Sequence, residues 1–344
     1  KFALEITIEQ PGVPKDQLKP VKVGWKAGGD YTPLSFSENG TASGKLIFAG
    51  YGISSPDAQY DDYAGIDVKN KIVLVIVNDP GFGFGDSTFF KGNTMTYYGR
   101  WTYKFEEAAR QGAKGCIIIH DDVPAGYGFW VVQNSWNTSK LYLDTRGKEQ
   151  YVCPAVGWVS QPAAKKLFAA AGMDYADAIS RAHKQGFTAA SMKLTVSLSM
   201  NVKAKYDKSY NLVAKITGDT QPDEYLIYST HWDHLGVGKP DETGDSIYNG
   251  ALDNASGAAG QLEIAKAFLS LKNKPARTVV FLWVTAEEQG LLGSSYYAQN
   301  PVYPKEKTVA NINIDGVNPY GKNKDVVLVG MGQSDLEDYL NEEA

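Results

Sequence analysis

Four short stretches of the C-terminal half carry the residues best suited to chemistry: Thr230-His231-Trp232-Asp233-His234, Leu252-Asp253-Asn254, Ala286-Glu287-Glu288-Gln289 and Ile314-Asp315-Gly316. One imidazole with several carboxylates suits zinc, and a carboxylate with two oxygens can bridge two ions about 3.5–4 Å apart. Such a pair of ions can hold a hydroxide between them and polarise a peptide carbonyl, while a nearby carboxylate that is not a ligand relays the proton. The adjacent Glu287 and Glu288 offer both jobs, one coordinating and its neighbour shuttling. Asp233, two residues after His231, is placed to orient that imidazole through its other nitrogen.

A scaffold must bring these stretches together. The first follows the apolar run 224–230, the third follows 278–285 and the fourth follows 309–314. All three runs are short and rich in β-branched or aromatic residues, which suits strands. Residues 256–269 repeat their apolar positions at helical spacing, and 290–298 can form a further helix. Strand, helix, strand, helix, strand implies an α/β fold with a doubly wound, mostly parallel sheet. Ligands bind such sheets in the crevice beyond the carboxyl ends of the strands, which is where the four stretches fall.

Each stretch also has a plainer reading. A lone His231 is an ordinary structural histidine. Glu287 and Glu288 stand where a helix is expected to begin, and the helix dipole favours carboxylates there without any metal. Asp253-Asn254 by itself is a turn or a cap. The metal reading rests on all four occurring together. His234 is read as supporting the loop or hydrogen-bonding nearby.

The order His231-x-Asp233-His234-Leu235-Gly236, Asn249-Gly250-Ala251-x-Asp253-Asn254-Ala255-Ser256-Gly257, Glu287-Glu288-x-Gly290-Leu291-x-Gly293-Ser294 and Asn313-x-Asp315 resembles the co-catalytic zinc peptidases. That family includes secreted bacterial aminopeptidases, glutamate carboxypeptidase II and the transferrin receptor. The resemblance runs from about Tyr210 to Gly316. It implies that His231 and Asp315 hold one zinc, that Glu288 holds the other, that Asp253 bridges them and that Glu287 is the general base and acid. It also implies a cis Asp253–Asn254 peptide. The family's fifth ligand is a histidine well downstream of the last aspartate, whereas here no histidine follows His234. The expectation is that the final strands and helix lie beyond Ala344, a degenerate second site being the alternative.

Length favours two domains. Residues 44–52, 61–67, 70–77 and 105–119 follow one another in an order that resembles the protease-associated domain, a β-rich insert carried by many of these peptidases. Residues 152–157 match the strand that precedes a Ser-x-x-x-Ala-x-x-Leu helix in that domain. The expected division is 1–39 as an N-terminal segment belonging to the peptidase domain, 40–190 as the insert and 191–344 as the zinc peptidase domain. Phe2–Ile8 and Lys193–Val202 both alternate like strands and can pair. Tyr97, Tyr98 and Arg100, in a long Gly- and aromatic-rich segment, are candidate substrate contacts, with ordinary packing as the alternative.

Net charge is −5, which argues against nucleic acid as a partner, since phosphate binding needs clustered Lys and Arg. No run approaches the roughly 18 apolar residues of a membrane span. The two cysteines, Cys116 and Cys153, read as either a pair or two buried thiols. Asn39-Gly40-Thr41 and Asn137-Thr138-Ser139 are glycosylation sequons. Few cysteines and the resemblance favour a secreted or periplasmic bacterial protein. The reading is a two-zinc aminopeptidase acting on peptides. Alternatives are a carboxypeptidase of the glutamate carboxypeptidase II kind, a receptor or binding homologue without metals, and a one-zinc cyclase-like acyl transfer.

Overall fold

The computed structural model describes residues 3–8, 31–34, 40–83, 85, 87–136, 141–144, 153–200, 205–322, 324 and 334–343. Asn39 and the 137–139 sequon lie outside the described residues. The chain forms two compact units, Lys1–Tyr206 and Asp207–Ala344.

In the first unit the strands are β1 (Ala3–Ile8), β2 (Tyr31–Leu34), β3 (Gly40–Phe48), the short hairpin β4 (Ser54–Ser55) and β5 (Tyr60–Asp61), β6 (Ile72–Ile76), β7 (Gly115–Ile119), β8 (Ala155–Val159) and β9 (Ala190–Met200). Its helices are α1 (Trp101–Arg110), α2 (Asp122–Ala125), α3 (Phe129–Trp136), α4 (Gln161–Ala170) and α5 (Tyr175–Ala182). Seven strands make one mixed sheet in the order β1-β9-β3-β6-β7-β8-β2. Every residue of β6, β7 and β8 is buried, so these central strands read as continuous apolar runs rather than alternating ones. Gly112, at a φ of +80°, closes α1 and lets the chain turn directly into β7.

The division between units falls after Tyr206 rather than at 190/191, for a backbone reason. β9 pairs antiparallel with β1, Ala3 to Ser199 through Ile8 to Leu194, and on its other edge with β3. The pairing expected between residues 2–8 and 193–202 is therefore present, but it is part of the seven-stranded sheet together with the 40–190 segment. Cys116 and Cys153 are both free and buried.

Several charged groups lie inside this unit, Asp79 and Lys104 both at 0% exposure. Lys104 on α1 is 0% exposed, and its Nζ donates to the Tyr51 carbonyl at 2.6 Å. Asp62, equally buried, accepts from the Ile53 N–H at 3.1 Å. Burial drives the amine down and the carboxyl up from their ordinary values, each opposing the other's shift through its charge.

The second unit contains β10 (Leu212–Ile216), β11 (Gln221–His231), the short hairpin β12 (Gly236–Val237) and β13 (Ile247–Tyr248), α6 (Ser256–Ser270), β14 (Arg277–Val284), α7 (Leu292–Gln299), β15 (Thr308–Asn313) and α8 (Leu336–Glu343). The main sheet runs β10-β14-β11-β15, with β14 and β15 both parallel to β11 and only β10 antiparallel. From β11 the chain crosses through α6 to β14 on one side, then through α7 to β15 on the other. Right-handed crossovers in opposite directions put the two helices on opposite faces. Packing agrees: Tyr228 meets Phe268 of α6 while Trp283 donates to Gln261, and the alternate face, with Ile227, Val280 and Leu282, packs against Tyr297 of α7. This is the mixed, parallel-containing α/β arrangement expected for this half.

Asn254 knots the carboxyl ends of these strands. It is 2% exposed; its Nδ2 donates to Thr230 Oγ1 and to the Ile314 carbonyl, both at 2.9 Å. Its Oδ1 accepts from the N–H groups of Gly257 and Gly316, both at 3.0 Å. A Cβ on Gly257 would stand 2.3 Å from that oxygen, so only glycine admits the contact.

Two stability changes follow. Lys104→Ala strands the Tyr51 carbonyl and empties a filled part of the interior, so it is expected to cost about 2–5 kcal/mol in denaturant unfolding at neutral pH. A loss below about 1 kcal/mol would show that the amine contributes nothing net. Asn254→Ala leaves four polar partners unmatched, those of Thr230 and Gly257 buried, and should lower stability by at least about 2 kcal/mol, a penalty that Gly257→Ala should largely reproduce.

Candidate metal centre

Register aligns the strand ends. His231, last in β11, is opposite Val284, last in β14, and Ser229 is opposite Asn313, last in β15. Ile314 continues this ladder by donating to the Ser229 carbonyl at 2.9 Å. Glu287 and Glu288 follow β14 by three and four residues, and Asp315 follows β15 by two. Asp253 arrives from the turn that precedes α6, and the Asp253–Asn254 peptide is cis.

The structure brings His231, Asp253 and Asp315 together as one set of three candidate ligands whose donor atoms lie within 4.8 Å of one another. His231 is almost fully buried, and its Nε2 stands 3.0 Å from Asp253 Oδ1 and 3.1 Å from Asp315 Oδ1. A second set, within the same limit, is His234, Asp253 and Glu288, where His234 Nδ1 is 2.6 Å from Glu288 Oε1. Asp253 is common to both. Imidazole nitrogens and carboxylate oxygens at this spacing fit divalent zinc, and the shared aspartate fits a bridging role.

Glu287 belongs to neither set. Its Oε2 is 3.9 Å from His231 Nε2, and its backbone N–H donates to Asp233 Oδ1 at 3.1 Å. Partial burial raises its carboxyl above the ordinary value; His231 opposes that shift, while Asp315, Glu288 and Asp233 add to it. For His231 burial works against protonation, but the Asp233 carbonyl, Asp315 and Glu287 outweigh it and its value is raised.

Asp233 acts differently from expectation. His231 Nδ1 bonds the main-chain carbonyl of Asp233 at 2.9 Å, while the nearer carboxylate oxygen is 3.8 Å away. The imidazole is still oriented through its second nitrogen, but by backbone, and the Asp233 carboxylate is freed to fix Glu287. Glu287 and Glu288 are also not on a helix. They sit in a turn entered through Ala286 at a left-handed φ of +52°, and α7 begins only at Leu292. The helix-dipole explanation for the pair therefore fails.

Three residues position the centre, and sequence reasoning passed over one of them, Asn211, and read the other two only in part. Asn254 was read with Asp253 as a turn or a cap; it does accept from the Gly257 N–H at the start of α6, but its ties to Thr230, Ile314 and Gly316 were not foreseen. Asn211 pins the Glu287 loop: its Oδ1 accepts from Thr285 N–H at 3.1 Å and its Nδ2 donates to the Gly293 carbonyl at 2.8 Å. His234, read as supporting the loop or hydrogen-bonding nearby, does bond a neighbour, its Nδ1 standing 2.6 Å from Glu288 Oε1. In the other unit, Tyr98 packs edge-on against Phe90 and Tyr103, while Tyr97 is exposed and its hydroxyl donates to Glu106 at 3.2 Å.

Residues 211–344 match the family model described as Peptidase family M28. A probable zinc metalloprotease of Pyrenophora tritici-repentis is 39% identical over 106 residues, 31% of this chain and 24% of that protein. Carboxypeptidase Q of Xenopus laevis is 23% identical over 318 residues, covering 90% of this chain and 57% of its own length. An aminopeptidase from Aneurinibacillus sp. strain AM-1 superposes with a TM-score of 0.44 at 21% identity, covering 92% of this chain and 58% of that one. The chain thus spans less than two thirds of each of these relatives. The stretch that folds into the four-stranded sheet and carries both ligand sets is the one that the Peptidase family M28 model matches.

Proposed function

We propose that the protein is a zinc-dependent exopeptidase that removes the N-terminal residue of peptides, with Glu287 as general base. The observation that carries this reading is the position of Glu287: beside both ligand sets, outside each of them, and held by Asp233 through its own backbone. Bound zinc would supply Lewis acidity toward a carbonyl oxygen and toward water. His231, Asp253 and Asp315 would hold one ion, and Glu288 with Asp253 the other.

The Glu287 carboxylate is placed to accept a proton from the attacking water and return it to the departing amine. On this reading residues 40–190 act as a protease-associated domain.

The names of two relatives favour a second reading, a carboxypeptidase: carboxypeptidase Q, and the glutamate carboxypeptidase 2 homolog of Caenorhabditis elegans, 24% identical over 87% of this chain and 41% of that protein. An acidic C-terminal residue needs a cationic pocket. Arg277, the sole arginine after Tyr206, is at the amino end of β14 and pairs with Glu224 at 2.7 Å, at the opposite end of the strand from the centre.

Two measurements separate these readings. Unblocked aminoacyl chromophores should be hydrolysed and their N-acetylated counterparts should not; equal turnover of both rules out an aminopeptidase. Glu287→Gln should lower kcat about 10²–10⁴-fold with zinc content unchanged. A fall in zinc content that tracks the loss of activity would instead make Glu287 a ligand.

A further inference from the structure

We infer that Asn249-Gly250 is a site of spontaneous self-modification. The chain there cyclises to a succinimide and reopens mainly as isoaspartate, and the change dismantles the turn that presents Asp253. The chemical step is independent of how the centre is read; only its effect on zinc rests on the metal reading.

Three observations support the step. Asn249 is exposed, and among the described residues its side chain makes one long bond, from Nδ2 to the Ile247 carbonyl at 3.5 Å. Its amide carbon is therefore open to attack, and asparagine is one of the thermolabile residues. The nucleophile is the next backbone nitrogen, and Gly250 has no Cβ to hinder closure of a five-membered ring. No group among the described residues accepts from the Gly250 N–H, so no hydrogen bond has to break first. Nucleophile and electrophile stand in consecutive residues, so the attack is intramolecular.

The step needs no reagent but water. The Gly250 nitrogen bonds to Asn249 Cγ and gives up its proton, while the side-chain nitrogen leaves as ammonia. Water then opens the ring. Opening at the former main-chain carbonyl gives isoaspartate, in which the chain runs through Cβ and Cγ and the α-carboxylate is free. Opening at Cγ gives aspartate. Both products add one negative charge, and isoaspartate also lengthens the main chain by one methylene.

The packing of Gly250 sets the consequence. It has a φ of +68°, and a Cβ there would stand 2.8 Å from His234 Cβ and 2.9 Å from the Asp253 carbonyl oxygen. The backbone therefore has no room to shift toward either. The Gly250 carbonyl accepts from the Ala255 N–H at 2.9 Å, which closes the turn containing Asp253 and Asn254. A chain made longer just before this glycine cannot keep both the passage past His234 and the bond to Ala255. Asp253 moves with that turn, and so does Asn254, which joins Thr230 to Ile314.

The test ages the complete natural polypeptide, loaded with zinc, in warm and mildly alkaline buffer. Asn249→Gln is aged beside it, because the longer side chain must close a less favourable six-membered ring. Isoaspartate is mapped by peptide mass spectrometry with enzymatic methyl labelling, while zinc per chain and the melting temperature in excess chelator are followed over the same period. Asn249 should be modified ahead of the other asparagines in residues 207–344. Zinc per chain and melting temperature should fall in step with isoaspartate in the wild type and hold in Asn249→Gln.

Freshly made Asn249→Asp carries the added charge without the added methylene and should melt like the wild type. A drop as large as that of the aged protein would assign the damage to charge and overturn the rerouted chain as its cause. An aged protein with Asn249 intact overturns the inference outright, as does isoaspartate at this position with an unchanged melting temperature in chelator. If the wild type takes up no zinc even when fresh, the metal reading falls, and the isoaspartate map and melting temperature still decide this site.

Discussion

The centre is governed by crowding of like charge. Asp233, Asp253, Glu287, Glu288 and Asp315 meet at the ends of three strands, with His231 Nε2 between 3.0 and 3.9 Å from three of their carboxylates. Carboxylates repel one another at such range unless positive charge lies among them. The fold resists the repulsion with backbone rather than with lysine or arginine. β11, β14 and β15 fix where each residue leaves the sheet, Asn254 binds the ends together, and Asn211 anchors the loop of Glu287. A site that holds anions this close around one imidazole has the electrostatic character of a cation receptor.

Much of this could be read from residue order, because the parallel sheet converts sequence into geometry. Once 224–230, 278–285 and 309–314 are taken as neighbouring strands, whatever follows each of them must converge. Hence His231, Asp253, Glu288 and Asp315 could be grouped without coordinates, and the helix between the first two strands was visible in its apolar spacing.

What could not be read depends on loop conformation. Nothing in the sequence says that Asp233 serves His231 with its carbonyl and Glu287 with its carboxylate, because either group can bond an imidazole. The direction of His234 depends on the close passage of Gly250, a backbone event. The limit of the first unit was hidden for a related reason: alternation shows that 2–8 and 193–202 are strands, but not that β9 uses both of its edges, one for β1 and one for β3.

That double use of β9 has a consequence for the N-terminus. β9 runs for eleven residues, and β1 covers it along Leu194–Ser199. Stripping away the first eight residues, by proteolysis or by design, would bare the amide and carbonyl groups along that flank. Exposed edges of this kind recruit strands from other molecules, so the short leading strand guards the protein against self-association.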